Sequence, residues 1–472
     1  MPVQAEAARP SKLMEEPSEA RLDAMNRPSS NKKIGLVHHL GHGNLGDDAT
    51  LAAVTENIRS RWPGAAVIAL TLNPVDTQER HGMPAYALRR DSKQPPQTYA
   101  NDAPVPSRAG FKARVKGWFS QNKFLLAVLR TGNAVIIGRP KALMQEMSFL
   151  AESFRVIKSQ DVLIVCGGGQ LLDSWGGPWG FPYTLFKWIV LARLSGARCY
   201  FLNVGAGPLR HPLSKWFIKR ALLLSEYVSF RDEDSRKLVQ DLGYKGKAQS
   251  FPDCAYSLTV PAVRTSRGGG RVVGVSPMAY YDPRRCFDKD QSKYDGYIRS
   301  LALFSAWLLR DQHRLMLFST DIWFDTQAIE DVKAGLRNDT LLGDERSVTS
   351  EPVTGIDDVL SQMAAMDYVI TSRFHGVIFA HLMNKPVLAI SPHPKVTTLM
   401  GELGLAEFCV DISGCDAEVL KKTFVRLESN SEDIKAHMAE RVASYKVGLA
   451  AQFDALFDGE SGVPMLEGAA LG

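Results

Sequence analysis

The sequence predicts an α/β protein built from two Rossmann-like domains that face each other across a cleft. Three observations predict it. Short apolar strands alternate with helical segments in both halves of the chain, the pattern of a doubly wound parallel sheet. A polar, glycine-rich break over residues 259–270 separates the halves, as an interdomain linker does. Glycine turns and basic residues follow several strands directly, at the sheet edge where open α/β sheets bind ligands.

In the first half, Ile34-Gly35-Leu36-Val37 reads as a strand, followed by the turn Gly41-His42-Gly43-Asn44-Leu45-Gly46. Asp47 and Asp48 open a helix whose apolar positions Leu51, Val54, Ile58 and Trp62 keep helical spacing up to Pro63-Gly64. Val67–Leu72 is the next strand. Residues 91–155 break the rhythm, Pro-rich first and then basic and amphipathic, and read as an insertion or flap. Strands resume at Val162–Cys166, Cys199–Val204 and Tyr227–Phe230, with an apolar helix near Tyr183–Ser195. The second half repeats the scheme with Val272–Val275, a helix around Tyr297–Leu309, Leu315–Phe318, a helix at Ile356–Met366, and the strands Asp367–Ile370 and Pro386–Ile390. The expected division is a disordered leader over 1–32, a first domain over 33–260, a second over 268–414, and C-terminal helices with a tail over 415–472.

Composition narrows the function. The 56 basic residues against 51 acidic ones leave a net charge of +5 over 472 residues, too mild to imply nucleic-acid binding. The six cysteines form no CxxC pair and four adjoin apolar segments; buried free thiols fit a reducing compartment, and a cytoplasmic protein is expected. Tyr183–Val204 is interrupted by Lys187, Arg193 and Arg198, which makes it a poor membrane span. His38, His39 and His42 crowd the first turn without carboxylate-rich or HxH spacing, so no metal site is expected.

Arg373-Phe374-His375-Gly376 carries the strongest chemical signal. It places a guanidinium fork and an imidazole at a strand-to-helix turn, beside the N–H groups of a helix start, a set suited to an anion. Lys395 follows the next strand and is expected at the same edge. Gly168 and Gly169, within the Gly167-Gly168-Gly169 turn, and Gly205, which opens Gly205-Ala206-Gly207-Pro208, let the backbone approach a ligand closely. Arg231 ends a strand and is a further anion contact or the partner of a surface ion pair. Asn44 and Asp47 are substrate-facing candidates that a helix start also explains by capping.

These elements occur in one order: Gly43-Asn44-Leu45-Gly46-Asp47, Gly167-Gly168-Gly169-Gln170-Leu171, Gly205-Ala206-Gly207-Pro208, Arg231-Asp232 with Ser235, Pro252-Asp253, and Ser372-Arg373-Phe374-His375-Gly376 through Lys395. In that order the chain resembles the polysaccharide pyruvyltransferase family over about residues 33–405. The resemblance implies a GT-B-like pair of domains. It also implies transfer of the pyruvyl unit of phosphoenolpyruvate to a sugar of an exopolysaccharide or cell-surface glycan as a ketal, with release of phosphate. Arg373, His375 and Arg231 would hold the donor by resemblance. Pro392-His393 stands where relatives carry Tyr-Asp before the lysine, a departure at Lys395. His375 is the expected general acid, Asp47 or Asp173 the expected base, and no cofactor is implied.

The other functions that fit are a nucleotide-sugar-dependent glycosyltransferase and a non-catalytic partner in glycan assembly. A lipid-linked acceptor would require peripheral contact with the inner membrane face, for which His211–Leu224 and Phe111–Leu129 are the candidate segments.

Overall fold

The computed structural model describes residues 32–41, 43–90, 139–261, 270–285, 289–337 and 348–457. The expected leader to residue 31, residues 91–138 of the expected insertion with the segment Phe111–Leu129, His42, and the tail from 458 lie outside the described residues.

The first sheet has seven strands: β1 (Lys33–Val37), β2 (Ala66–Thr71), β3 (Ala85–Ala87), β4 (Val162–Cys166), β5 (Arg198–Val204), β6 (Tyr227–Phe230) and β7 (Gln249–Ser250). Their order is β3-β2-β1-β4-β5-β6-β7, and every pairing is parallel. The central strands are buried throughout β4 and β6, as a sheet covered on both faces requires. Helices α1 (Leu45–Arg61), α2 (Pro74–His81), α3 (Arg139–Ile157), α4 (Phe181–Ser195), α5 (Pro212–Leu223) and α6 (Glu233–Asp241) connect them. Residues 139–155 of the expected insertion therefore belong to a regular helix, α3, that leads into β4.

The second sheet has six strands: β8 (Val272–Ser276), β9 (Arg314–Leu317), β10 (Val348–Thr349), β11 (Tyr368–Thr371), β12 (Val387–Ser391) and β13 (Cys409–Asp411). The order β10-β9-β8-β11-β12-β13 repeats that of the first sheet, again wholly parallel. Its helices are α7 (Gln291–Arg310), α8 (Thr326–Arg337), α9 (Ile356–Ala364), α10 (Phe374–Leu382), α11 (Pro394–Glu402) and α12 (Ala417–Ser429).

The long C-terminal α13 (Ser431–Phe457) crosses back to the first sheet. There Gln452 donates through Nε2 to Asn203 Oδ1 at 2.8 Å and to the Tyr227 hydroxyl at 2.7 Å, while Trp62 packs edge-on against Phe457. One continuous core runs through both sheets on this side, and a second lies under α4 and α5 on the outer face of the first sheet.

A second junction joins the halves beside the cleft. Leu45 N donates to Thr320 O at 3.0 Å and Ile322 N donates to Gly43 O at 2.9 Å, so the β1–α1 turn and residues 320–322 pair as a short antiparallel bridge. A Cβ on Gly46 would stand 1.9 Å from Nδ1 of His375; only glycine lets the two helix N-termini approach this closely.

No helix among the described residues is long and apolar enough to cross a membrane. Helix α5, one of the expected membrane-facing segments, buries Phe217 and leaves Trp216 half-exposed, tilted against Phe186 and near Arg220.

Candidate active site

The C-terminal ends of the two sheets face each other, and the sequence-expected residues divide between their facing walls. From the first sheet come the turns after β4 and β5. They are hydrogen-bonded together, Gly205 N donating to Gly168 O at 2.7 Å and Leu171 N to Gly205 O at 3.1 Å. Gly168 has φ +64°, a left-handed conformation that favours glycine. Added Cβ atoms show what these turns accommodate: at Gly205 one would meet Arg231 Nε at 2.6 Å, and at Gly169 Arg231 Nη2 at 3.9 Å. The glycines expected to approach a ligand thus open the space that Arg231 occupies.

Arg231 is held from three sides. Its guanidinium lies 4.4 Å from the centre of the Phe374 ring of the opposite wall, a cation–π contact. Its Nε is 3.3 Å from Asp232 and its Nη1 is 3.6 Å from Asp253. Asp253, buried at the foot of β7, also lies 3.9 Å from Nε2 of His375. Sequence reasoning noted Pro252-Asp253 without giving the aspartate a role. The structure makes it the carboxylate shared by Arg231 and His375.

His375 is the second residue of α10 and is buried. Burial lowers its pKa most strongly; Asp253 and Asp47 oppose the shift, and Arg231 and Lys395 add to it. Together these effects favour the neutral imidazole.

Asp47 is buried on the first wall, with Oδ2 2.9 Å from Nε2 of His39. Burial alone would push its carboxyl up, but attraction to His39 and their hydrogen bond outweigh this and hold it well below the usual range. A carboxylate held this acidic is a fixed charge and a reluctant proton acceptor, which weighs against its expected role as base. Asp173, the other expected base, uses Oδ2 to accept from Arg210 N and His211 N at 2.8 Å each, a structural commitment. Asn44 spends its side chain on capping α1, accepting from Gly46 N at 3.1 Å.

Arg373 corrects a simpler expectation. Its Nε and Nη2 donate to the two oxygens of buried Asp325 at 2.7 and 2.8 Å, and Nη2 is 3.2 Å from Asp321. That two-pronged edge is therefore occupied by protein carboxylates. Asp321 remains costly to ionise: burial pushes its pKa up to about 6, opposed by Arg373 and assisted by Asp325. Neither aspartate was singled out in the sequence, because residues 318–325 carry no regular element to signal their placement.

Lys395 sits in the first turn of α11, on the wall of a cavity of about 900 Å³. Its side chain is exposed to solvent on that wall. Protein atoms that displace part of its hydration shell, and then repulsion from Arg231 and Arg373, lower its pKa to about 8. The cavity is also lined by Arg210, Arg231, Arg236, Phe374 and Arg441. Glu402 stands on the same wall, pushed up to about 7 by dehydration and by Asp232 and Asp234.

One further cluster was not expected. His38, His39 and Asp47 bring a possible ligand atom each within 4.8 Å of the others, although their spacing in the sequence gave no metal signature.

The comparisons with known proteins agree with this geometry. A sequence family described as polysaccharide pyruvyl transferase matches residues 44–394. No curated protein matches the chain significantly. Among solved structures, a putative UDP-N-acetylglucosamine 2-epimerase from Listeria monocytogenes superimposes with TM-score 0.53 at 13% identity, over 92% of this chain and 99% of its own. The UDP-GlcNAc 2-epimerase from Neisseria meningitidis, bound to UDP-GlcNAc, gives TM-score 0.52 at 11% identity, over 90% and 99%. At these identities the likeness shows the fold, a GT-B-like pair of parallel α/β domains.

Proposed function

Because the chain belongs to the polysaccharide pyruvyl transferase family, we propose that it takes the pyruvyl unit from phosphoenolpyruvate. The unit is transferred to a sugar of an exopolysaccharide or cell-surface glycan as a cyclic ketal, and phosphate is released. The observation that supports this most is the convergence of Arg231, His375 and Lys395: Asp253 lies between Arg231 and His375, and Arg231 and Lys395 line one cavity. Phosphoenolpyruvate carries a carboxylate and a phosphate on a short carbon frame, and a compact group of cations at helix starts suits both. Arg231 and Lys395 hold the donor. Arg373, fixed by Asp325, contributes charge to the same wall.

His375 supplies the proton. The arriving anion raises the pKa of a neutral imidazole beside it, so donor binding loads His375 with the proton that the terminal methylene takes to become a methyl group. An acceptor hydroxyl then bonds to the central carbon and loses its proton. A second hydroxyl bonds to the same carbon and loses its proton as the carbon–oxygen bond to phosphate breaks. One released proton leaves on phosphate and the other restores His375. In this reading Glu402, on the cavity wall with its pKa raised to about 7, accepts a hydroxyl proton. The glycan acceptor, lipid-linked at the cytoplasmic membrane face, occupies the cavity between Arg210 and Arg441. The chemistry calls for no cofactor.

Calorimetric titration tests the donor. Phosphoenolpyruvate binds and raises the melting temperature by mass action, while UDP-sugars do neither. Binding of a UDP-sugar with no response to phosphoenolpyruvate would replace this reading with glycosyl transfer.

A further inference from the structure

The first wall holds a group of side chains that the proposed reaction uses only as a fixed negative charge. His38 and His39 leave the C-terminal end of β1, and Asp47 lies in the first turn of α1. His38 is fully buried, and His39 and Asp47 nearly so. The two imidazoles stack with centroids 4.8 Å apart and an interplanar angle of 14°. Nε2 of His39 is 2.9 Å from Oδ2 of Asp47.

The second observation is a pair of orphaned atoms: neither Nδ1 nor Nε2 of His38 has a hydrogen-bond partner. A neutral imidazole carries one donor and one acceptor, and leaving both unmet away from water costs folding free energy. An unanswered buried group of this kind points to a ligand. The backbone opposite is shaped to leave room. A Cβ on Gly168 would meet Cε1 of His39 at 3.1 Å, Nε2 of His38 at 3.3 Å and Oδ1 of Asp47 at 3.5 Å. The three side chains converge on one spot where the chain carries no side chain of its own.

We propose that His38, His39 and Asp47 bind one divalent transition-metal ion. Two imidazoles and a carboxylate suit zinc and its neighbours, whereas magnesium and calcium prefer all-oxygen sets. Metal–ligand bonds of about 2.0–2.2 Å place tetrahedral ligands about 3.4 Å apart. The separations here run from 2.9 Å to within 4.8 Å, so small side-chain rotations close the set. All three ligands come from the end of β1 and the first turn of α1, so the ion pins that turn beside Gly168, and three protein ligands leave a fourth position open to water. The site stands whether or not phosphoenolpyruvate is the donor.

The test is metal analysis of the full chain purified without chelator, followed by titration of dialysed protein with Zn(II) and Co(II). The expected result is about one ion per chain, visible Co(II) absorption, and a melting temperature that rises and saturates near one equivalent. His38→Gln removes one ligand and should weaken Zn(II) binding on the order of tenfold or more. Absence of both bound metal and any metal-dependent melting shift overturns the site. Unchanged affinity in His38→Gln also overturns it, by placing the ion elsewhere. Should that variant not fold, imidazole nitrogen chemical shifts of the unmodified protein decide: His38 must move on Zn(II) addition, and a static His38 signal overturns the assignment.

Discussion

Asp325→Asn isolates the contact that orients Arg373. The carboxylate is fully buried; it accepts from Arg373 Nε at 2.7 Å and Nη2 at 2.8 Å, and Oδ1 also accepts from Ala279 N at 3.0 Å. An amide keeps the shape but replaces one oxygen with a donor. Placed at Oδ1, that donor would oppose two N–H groups, so it goes to the Oδ2 side and opposes Nε–H. One charge-assisted bond is lost, about 1.5–3 kcal/mol. Leaving a buried charge without its partner would cost about 3–5 kcal/mol, but Asp321 remains 3.2 Å from Nη2 and keeps the total near the lower range.

The variant should therefore unfold in urea with about 2–3 kcal/mol less stability at pH 7. It should also bind phosphoenolpyruvate about tenfold more weakly, or about 1.4 kcal/mol. A pH signature accompanies the loss. Asp321 has a folded pKa raised to about 6, above its ordinary 3.8. The folded state thus binds more protons between those values, and stability falls as pH rises through them. Removing the Asp325 charge lowers the Asp321 pKa and flattens that fall. Stability within about 0.5 kcal/mol of wild type, the usual spread for inconsequential substitutions, would refute the bidentate assignment.

Other outcomes follow from the same geometry. His375→Gln keeps a donor but cannot cycle a proton, so turnover should drop roughly 10²–10⁴-fold with a small change in donor affinity; near-normal turnover would leave His375 as a ligand only. Gly46→Ala puts a methyl group 1.9 Å from the His375 ring, and should lower the melting temperature and donor affinity together. An unshifted melting curve would mean the helix starts are further apart. Because the His375 pKa is lowered and that of Lys395 sits at about 8, anion binding should take up protons. Donor affinity should then weaken as pH rises through 8, and binding enthalpy should vary with buffer ionisation enthalpy; a pH-independent affinity contradicts this.

Much of the second wall was legible because its signals are local. Arg373-Phe374-His375-Gly376 joins a four-residue buried strand to a helix, and both elements occur where periodicity places them. The glycine turns were legible for the same reason, since each directly follows an apolar strand. Short or irregular pieces were not. Strands β7 and β10 have two residues each, too few to show alternation. The helical segment Arg139–Ile157 was absorbed into the apparent insertion because the break in rhythm ahead of it hid its start.

The carboxylates of the site were the least legible part. Asp321 and Asp325 lie in an irregular loop, and Asp253 lies just beyond a two-residue strand. Each meets its cation across dozens of residues of chain, a pairing that only tertiary structure creates. His38, His39 and Asp47 lie within ten residues of one another, yet their side chains come together only because the chain turns between β1 and α1.

The most direct measurement is phosphate release from phosphoenolpyruvate by the full chain over a panel of glycan acceptors, with the product examined by NMR. Pyruvyl transfer predicts phosphate release only when a matching acceptor is present, in step with a new ketal methyl signal on the sugar. Release that ignores the acceptor, or acceptor consumption only with a nucleotide-sugar, would contradict it.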